Sequence, residues 1–164
     1  MSKTLILLKL RKLIKMYSEV SIADSASSKW RNFGVRRDRQ FEPLIKKLYS
    51  DSNAIFKHLK DIMVLAALIG YSEGKSEPLE GSNTIPITLH TYENDDQDSF
   101  IYLLALLSTK NTQVLENENL TEAIKIFEGY CNAGLRILNG WVNEEPSRLI
   151  EDILLDKIYR KIVT

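Results

Sequence analysis

The chain has 164 residues, 44% hydrophobic and 27% charged, with a formal net charge of zero. That is the size and make-up of one globular domain able to close a core without metal or disulfide. A single cysteine, Cys131, excludes an internal disulfide and suits a reducing cytoplasm.

The zero conceals a polarity. Residues 1–60 hold fourteen Lys or Arg against five acids, a net +9, and residues 61–164 hold eight against seventeen, a net −9. Either the first half meets an anionic partner or the two halves pack together and neutralise each other. No apolar run approaches the roughly eighteen residues of a spanning helix. Lys9, Arg11 and Lys12 interrupt the N-terminal apolar stretch, and no small-residue cleavage site follows. A soluble, cytoplasmic protein with no membrane partner is expected.

Thr4 to about Val20 carries Ile6, Leu10, Leu13, Tyr17 and Val20 at helical spacing, with lysines on the other side. Ser21 to Ser28 is small and polar and reads as a linker, so residues 1–28 form an appended basic helix and 29–164 the main helical domain. Val35 to Arg39 suits a short extended segment after the turn residue Gly34. Phe41 to Tyr49 then reads as a helix with Pro43 in its first turn. A helix from about Ile55 to Ser72 contains the least polar segment of the chain, Ile62 to Ile69. It is apolar nearly all round and therefore central. Ile85, Ile87 and Leu89 alternate around Pro86, predicting a short edge strand. An acidic turn, Glu93 to Asp98, leads to a buried helix over 99–108 capped by Asp98 or Ser99. Asn119 with Glu122 resembles a capping box for a long helix to Val142. Gly129 and Gly134 inside that helix predict a close backbone approach or a kink. Pro146 is expected to open a last helix through Ile162, with Leu149, Ile150, Ile153, Leu154 and Ile158 facing inward. The expected fold is mainly α, a compact bundle of about six helices with one or two short extended segments.

No catalytic constellation stands out, and neither a metal site nor a cofactor is expected. His58 and His90 lack metal-site spacing, and Cys131 sits on an apolar stripe as a small buried hydrophobe. Asp61, Glu73 and Lys75 follow the acid–acid–lysine order of metal-dependent nucleases, but they flank a buried helix instead of lying on adjacent strands. Asp95, Asp96 and Asp98 lack the glycine and terminal glutamate of a calcium loop. The strongest functional signal is the basic cluster Arg36, Arg37, Arg39, Lys46 and Lys47, a candidate nucleic-acid-binding patch for phosphates. An extended segment followed by two helices also outlines a ribbon-helix-helix DNA reader. The competing reading pairs Arg36 or Arg37 with acids of the C-terminal half, such as Glu151 or Asp152.

The segments VRRDRQFEPLIKKL, DIMVLAALIGYSEGKSEPL, DSFIYLLALLSTK and IKIFEGYCNAGLRILNGW, in that order, span residues 35 to about 141. In them the chain resembles the DNA phosphorothioation (dnd system)-associated protein 4 family. The resemblance implies a bacterial cytoplasmic protein encoded near systems that replace a DNA phosphate oxygen with sulfur, or that restrict DNA lacking the mark. It brings genomic context but no catalytic residues. The expectation is a non-enzymatic accessory protein of a phage-defence system, with other proteins of the same operon as partners. DNA, bound through the arginine patch, and a second copy of the chain are the further candidates.

Overall fold

The computed structural model describes residues 33–50 and 54–163. The expected N-terminal helix, its linker and Trp30 lie outside the described residues, as do the expected helix breakers Asp51, Ser52 and Asn53. Residues 34–164 form one compact unit.

Alternation sets the first element, β1 (Gly34–Asp38), which buries Val35 and Arg37 and turns Arg36 outward. It pairs antiparallel with β2 (Thr84–Thr88), and Arg36 stands opposite Pro86. Arg36 donates its backbone N–H away from β2, to a helix described below. The Arg36–Pro86 pair is therefore a position where neither residue bonds across the ladder, the one kind of site where a proline lacking N–H costs nothing.

Asp38 caps the single 3-10 turn Arg39–Phe41, accepting from the Gln40 N–H at 2.9 Å. α1 (Glu42–Ile45) follows, with Pro43 in its first turn as expected, and continues as one π turn, Lys46–Ser50. The next helix, α2 (Leu59–Ser72), starts four residues later than its periodicity suggests. The N–H groups of Ile55 and Phe56 both donate to the Leu48 carbonyl at 3.1 Å, so this stretch closes the end of the preceding helix instead of opening the next. Within α2, Ile62, Met63, Ala66, Ala67 and Ile69 are buried, while Leu68 and Tyr71 leave one side exposed.

The strand ends one residue early. Leu89 opens a short helix, α3 (Leu89–Glu93), that buries Leu89 and Tyr92 within what reads as a strand end and an acidic turn. α4 (Asp98–Thr109) begins without a side-chain cap: Gln97 holds the cap position, Asp98 is the first helical residue, and Ser99 Oγ donates back to the Asp96 carbonyl at 2.6 Å. The box at Asn119 does not form either, because the Asn119 carboxamide donates to the Gln113 carbonyl at 2.8 Å.

α5 (Leu120–Glu144) is the axis of the unit, packing on α2, α4 and β1. Its glycines explain the closest contact. A Cβ on Gly134 would run into the Ala66 carbonyl of α2, and one on Gly70 of α2 would meet the Tyr130 carbonyl of α5. The two backbones touch, which the small residues of both helices permit. Finally, Pro146 stands inside a turn closed by Arg148 N–H to the Glu145 carbonyl at 3.1 Å. α6 (Ile150–Val163) starts only after it, so Leu149 falls outside the helix and is exposed, not inward. Ile153 and Leu154 are the buried anchors of α6. Among the described residues the fold is mainly α with one two-stranded sheet, and no helix is long and apolar enough to cross a membrane.

Candidate functional site

The two arginines at the centre of β1 point to opposite faces because successive strand residues must. Arg36 meets Glu128 of α5, which is buried. Glu128 Oε1 accepts the Arg36 backbone N–H at 2.7 Å and its Nε at 3.1 Å, and Oε2 accepts Nη2 at 3.0 Å. One carboxylate thus satisfies a free strand-edge donor and a guanidinium fork together. The hydrogen bonds and charge of Glu128 push the Arg36 guanidinium further up from its already high value. The acidic partner expected for this segment exists, and it is Glu128, not Glu151 or Asp152.

Arg37 lies on the inner face, 4% exposed, and its Nη1 donates to Glu42 Oε2 at 2.7 Å. Its Nε is buried and accepted by no described residue. Beneath it sit Tyr92, whose ring stands edge-on to Phe127 with centroids 6.1 Å apart, and Cys131. Burial, reinforced by Cys131 and Glu128 and opposed by Arg37, holds the Tyr92 phenol well above its usual range. Burial first, then Glu128, pushes the Cys131 thiol up as well. It stays protonated, donates to the Met63 carbonyl at 3.2 Å, and is inert as a nucleophile.

The five expected patch residues are therefore split. Arg37 is internal and Arg36 is committed to Glu128, whereas Arg39, Lys46 and Lys47 are exposed and form no ion pair with another described residue. One edge of β1 pairs with β2, and on the other the Arg36 N–H is taken by Glu128.

The acid–acid–lysine series does not converge. Asp61 lies in the first turn of α2 and accepts from Gln97 Nε2 at 2.7 Å, while Glu73 caps the far end. Twelve helical residues separate them by about 18 Å, too far to share a metal. Asp95 pairs instead with Lys60, whose buried ammonium also donates to the Thr91 carbonyl at 3.0 Å. Lys60 holds the Asp95 carboxyl below the usual range, and burial with the nearby Glu93 holds Asp98 above it. His90 is exposed beside Glu93 at 3.2 Å, and His58 precedes α2 in extended backbone. Among the described residues no group of three or more His, Cys, Asp or Glu is placed to hold a metal ion.

The family model described as DNA sulphur modification system-associated protein 4 matches residues 34–161. The chain belongs to this family. The match begins at the first residue of β1 and runs into α6, so the sheet, the Arg36–Glu128 pair and the α2–α5 crossing all lie inside the family unit. α6 is included too, although the segments recognisable by eye end near residue 141. No curated protein and no solved structure matches the chain.

Two functional-looking positions escape a reading by motif, Glu128 and Lys60, and both carry a detectable signal. Glu128 follows Ile124 by one turn and lies between Phe127 and Cys131 on the apolar stripe of α5. Lys60 precedes Met63 and Val64 on that of α2. A charge on an apolar stripe predicts a buried partner.

Proposed function

We propose that this member of the DNA sulphur modification system-associated protein 4 family is a non-enzymatic accessory protein. It acts by binding other proteins of a bacterial DNA phosphorothioation system. The observation that carries the reading is the outer side of the last helix. Leu155 is 70% exposed and Tyr159 62% exposed, and the two stand one turn apart on α6; Leu149, just before the helix, is 65% exposed. Large apolar side chains grouped on one exposed element mark a surface for another macromolecule. The buried charges support the same reading, since Arg37, Lys60 and Glu128 are each engaged in holding elements together. Affinity purification of the full tagged chain with the neighbouring operon products tests it. A partner should be recovered from wild type and lost from Leu155→Glu/Tyr159→Glu. Recovery of no operon product overturns the reading.

A second reading, direct DNA binding, is favoured by Arg39, Lys46 and Lys47, which are exposed and form no ion pair with another described residue. It predicts a mobility shift at low salt that weakens as salt rises and is reduced in Arg39→Glu/Lys46→Glu. Wild type showing no shift on modified or unmodified DNA removes it.

A further inference from the structure

α6 leaves charge as well as apolar surface unmatched, and the two lie together. Among its described side chains both cations are engaged: Lys157 Nζ donates to Glu144 Oε2 and Arg160 Nε to Asp156 Oδ1, each at 3.0 Å. Between Asn143 and Asp156 five acids stand against one base, Arg148. Glu145, to which it donates at 2.9 Å, and then Asp156 and Asp152 push that guanidinium up from its already high value. Glu151 and Asp152 are exposed and form no ion pair with another described residue. Four residues separate Glu151 from Leu155 and Leu155 from Tyr159, so the three form one ridge, with Asp152 beside it.

The ridge is therefore anionic at one end and apolar at the other, and that combination selects its occupant. Free carboxylates repel a nucleic-acid phosphate and an anionic lipid surface alike. A strand adds to a free backbone edge, which a helix bonded within itself does not offer. A second helix packs its own ridge alongside that of α6. At the start of α6 the face adjoins a cavity of about 530 Å³ walled by Ile55, Val142, Leu149 and Ile150 together with Glu151 and Lys47. Lys47 is exposed and repels a cation from the cavity, which leaves the carboxylates on the α6 side as the place for one.

We propose that the partner of α6 is a basic amphipathic helix. Two of its apolar side chains, a turn apart, lie against Leu155 and Tyr159, and a lysine or arginine one turn further meets Glu151 and Asp152. That the helix belongs to an operon protein rests on the function proposed above; the preference of the face for a basic over an acidic helix does not.

The test titrates two labelled helical peptides, leucine with lysine and leucine with glutamate on the same apolar stripe, with the full-length protein at low salt, read by fluorescence anisotropy. The leucine–lysine peptide should bind saturably and about tenfold more tightly than leucine–glutamate, although the protein carries no formal net charge. Glu151→Gln/Asp152→Asn should weaken it about five- to tenfold, the scale of two exposed ion pairs. Leu155→Ala/Tyr159→Ala should weaken it at least as much. Glu116→Gln/Glu118→Gln, which removes two exposed acids outside α6, should leave it unchanged. All three variants alter exposed side chains only, so the fold is preserved. No saturable binding, equal binding of both peptides, or equal losses in the α6 and Glu116/Glu118 variants overturns the proposal. Sedimentation showing self-association that Leu155→Ala/Tyr159→Ala removes would assign the face to a second copy and overturn it too. In co-purification, an operon product lost from Leu155→Glu/Tyr159→Glu but fully retained by Glu151→Gln/Asp152→Asn leaves the proposed function standing and overturns the basic helix. Peptide binding with no operon product recovered from wild type overturns the function instead and leaves the preference for a basic helix standing.

Discussion

The inner side of α5 and the outer side of α6 follow each other in the chain and show opposite uses of apolar surface. Along α5, Phe127, Cys131, Leu135 and Leu138 are fully enclosed, and Gly134 brings the backbone onto that of α2. Along α6, Ile153 and Leu154 anchor the helix, while Leu155 and Tyr159 are left facing out. Polar groups on the inner side are matched to specific partners, Glu128 to Arg36 and the Cys131 thiol to the Met63 carbonyl, while the buried Asn132 Oδ1 accepts from no described residue. On the outer side the polar contacts are surface pairs such as Lys157–Glu144 at 3.0 Å and Arg160–Asp156 at 3.0 Å, which contribute little to stability. The first region is built for the fold. The second leaves large apolar side chains exposed.

The sharpest way to break this contrast is to put one methyl group into the α2–α5 crossing. Gly134→Ala should destabilise by about 3 kcal/mol or more, because its Cβ meets backbone that cannot rotate away. Gly140→Ala in the same helix, where nothing lies within 4 Å, should instead stabilise by up to ~1 kcal/mol. Thermal melts that move both variants the same way would refute the close approach. Next in size is the Arg36–Glu128 pair, whose two halves are not equivalent. Arg36→Met leaves a buried carboxylate without its cation and should cost roughly 3 kcal/mol. Glu128→Gln leaves a guanidinium, 44% exposed, that can turn to water, and should cost about half as much. Denaturant unfolding of the two variants reads the order, and equal losses would mean the carboxylate is not the vulnerable partner. Leu155→Glu/Tyr159→Glu should lie within about 0.5 kcal/mol of wild type, since neither side chain is packed.

The smallest effect is one of pH. Lys60 depresses the Asp95 carboxyl, so the folded protein holds its proton less tightly than the unfolded chain. The pair's contribution is complete above the usual carboxylate range and is lost as pH falls through the lower folded value. Lys60→Met should flatten that acid limb of melting temperature against pH. An unchanged acid limb would show the pair to be idle.

Much of the fold was legible because its signals are periodic. The stripes of α2 and α5 and the alternation around Ile87 each report one face, whereas the helix expected to be buried, α4, leaves Leu103 and Leu107 exposed. Of the two glycines that predicted a close backbone approach or a kink in α5, Gly134 makes the approach, to Ala66, while Gly129 faces the Ser76 side chain. What failed were the ends. Asn119, Ser99 and Pro146 read as start signals, yet each is engaged by, or sits within, a neighbouring turn, and such local competition has no periodicity to reveal it. The candidate site was half legible. The RRDR run marked the right strand, but it could not say that alternation would send Arg36 and Arg37 to different partners and leave Arg39 outside. Glu128 was readable as a charge on an apolar stripe; Asn132, polar and uncharged, gave no such mark.

On the function proposed above, α6 presents its outer side to a protein. Purifying wild type and Leu155→Glu/Tyr159→Glu in parallel, each with the products of the surrounding operon, tests it directly. Wild type should bring down an operon protein, and the double variant, with an unchanged melting temperature, should not. Equal recovery by both, or by neither, would contradict it.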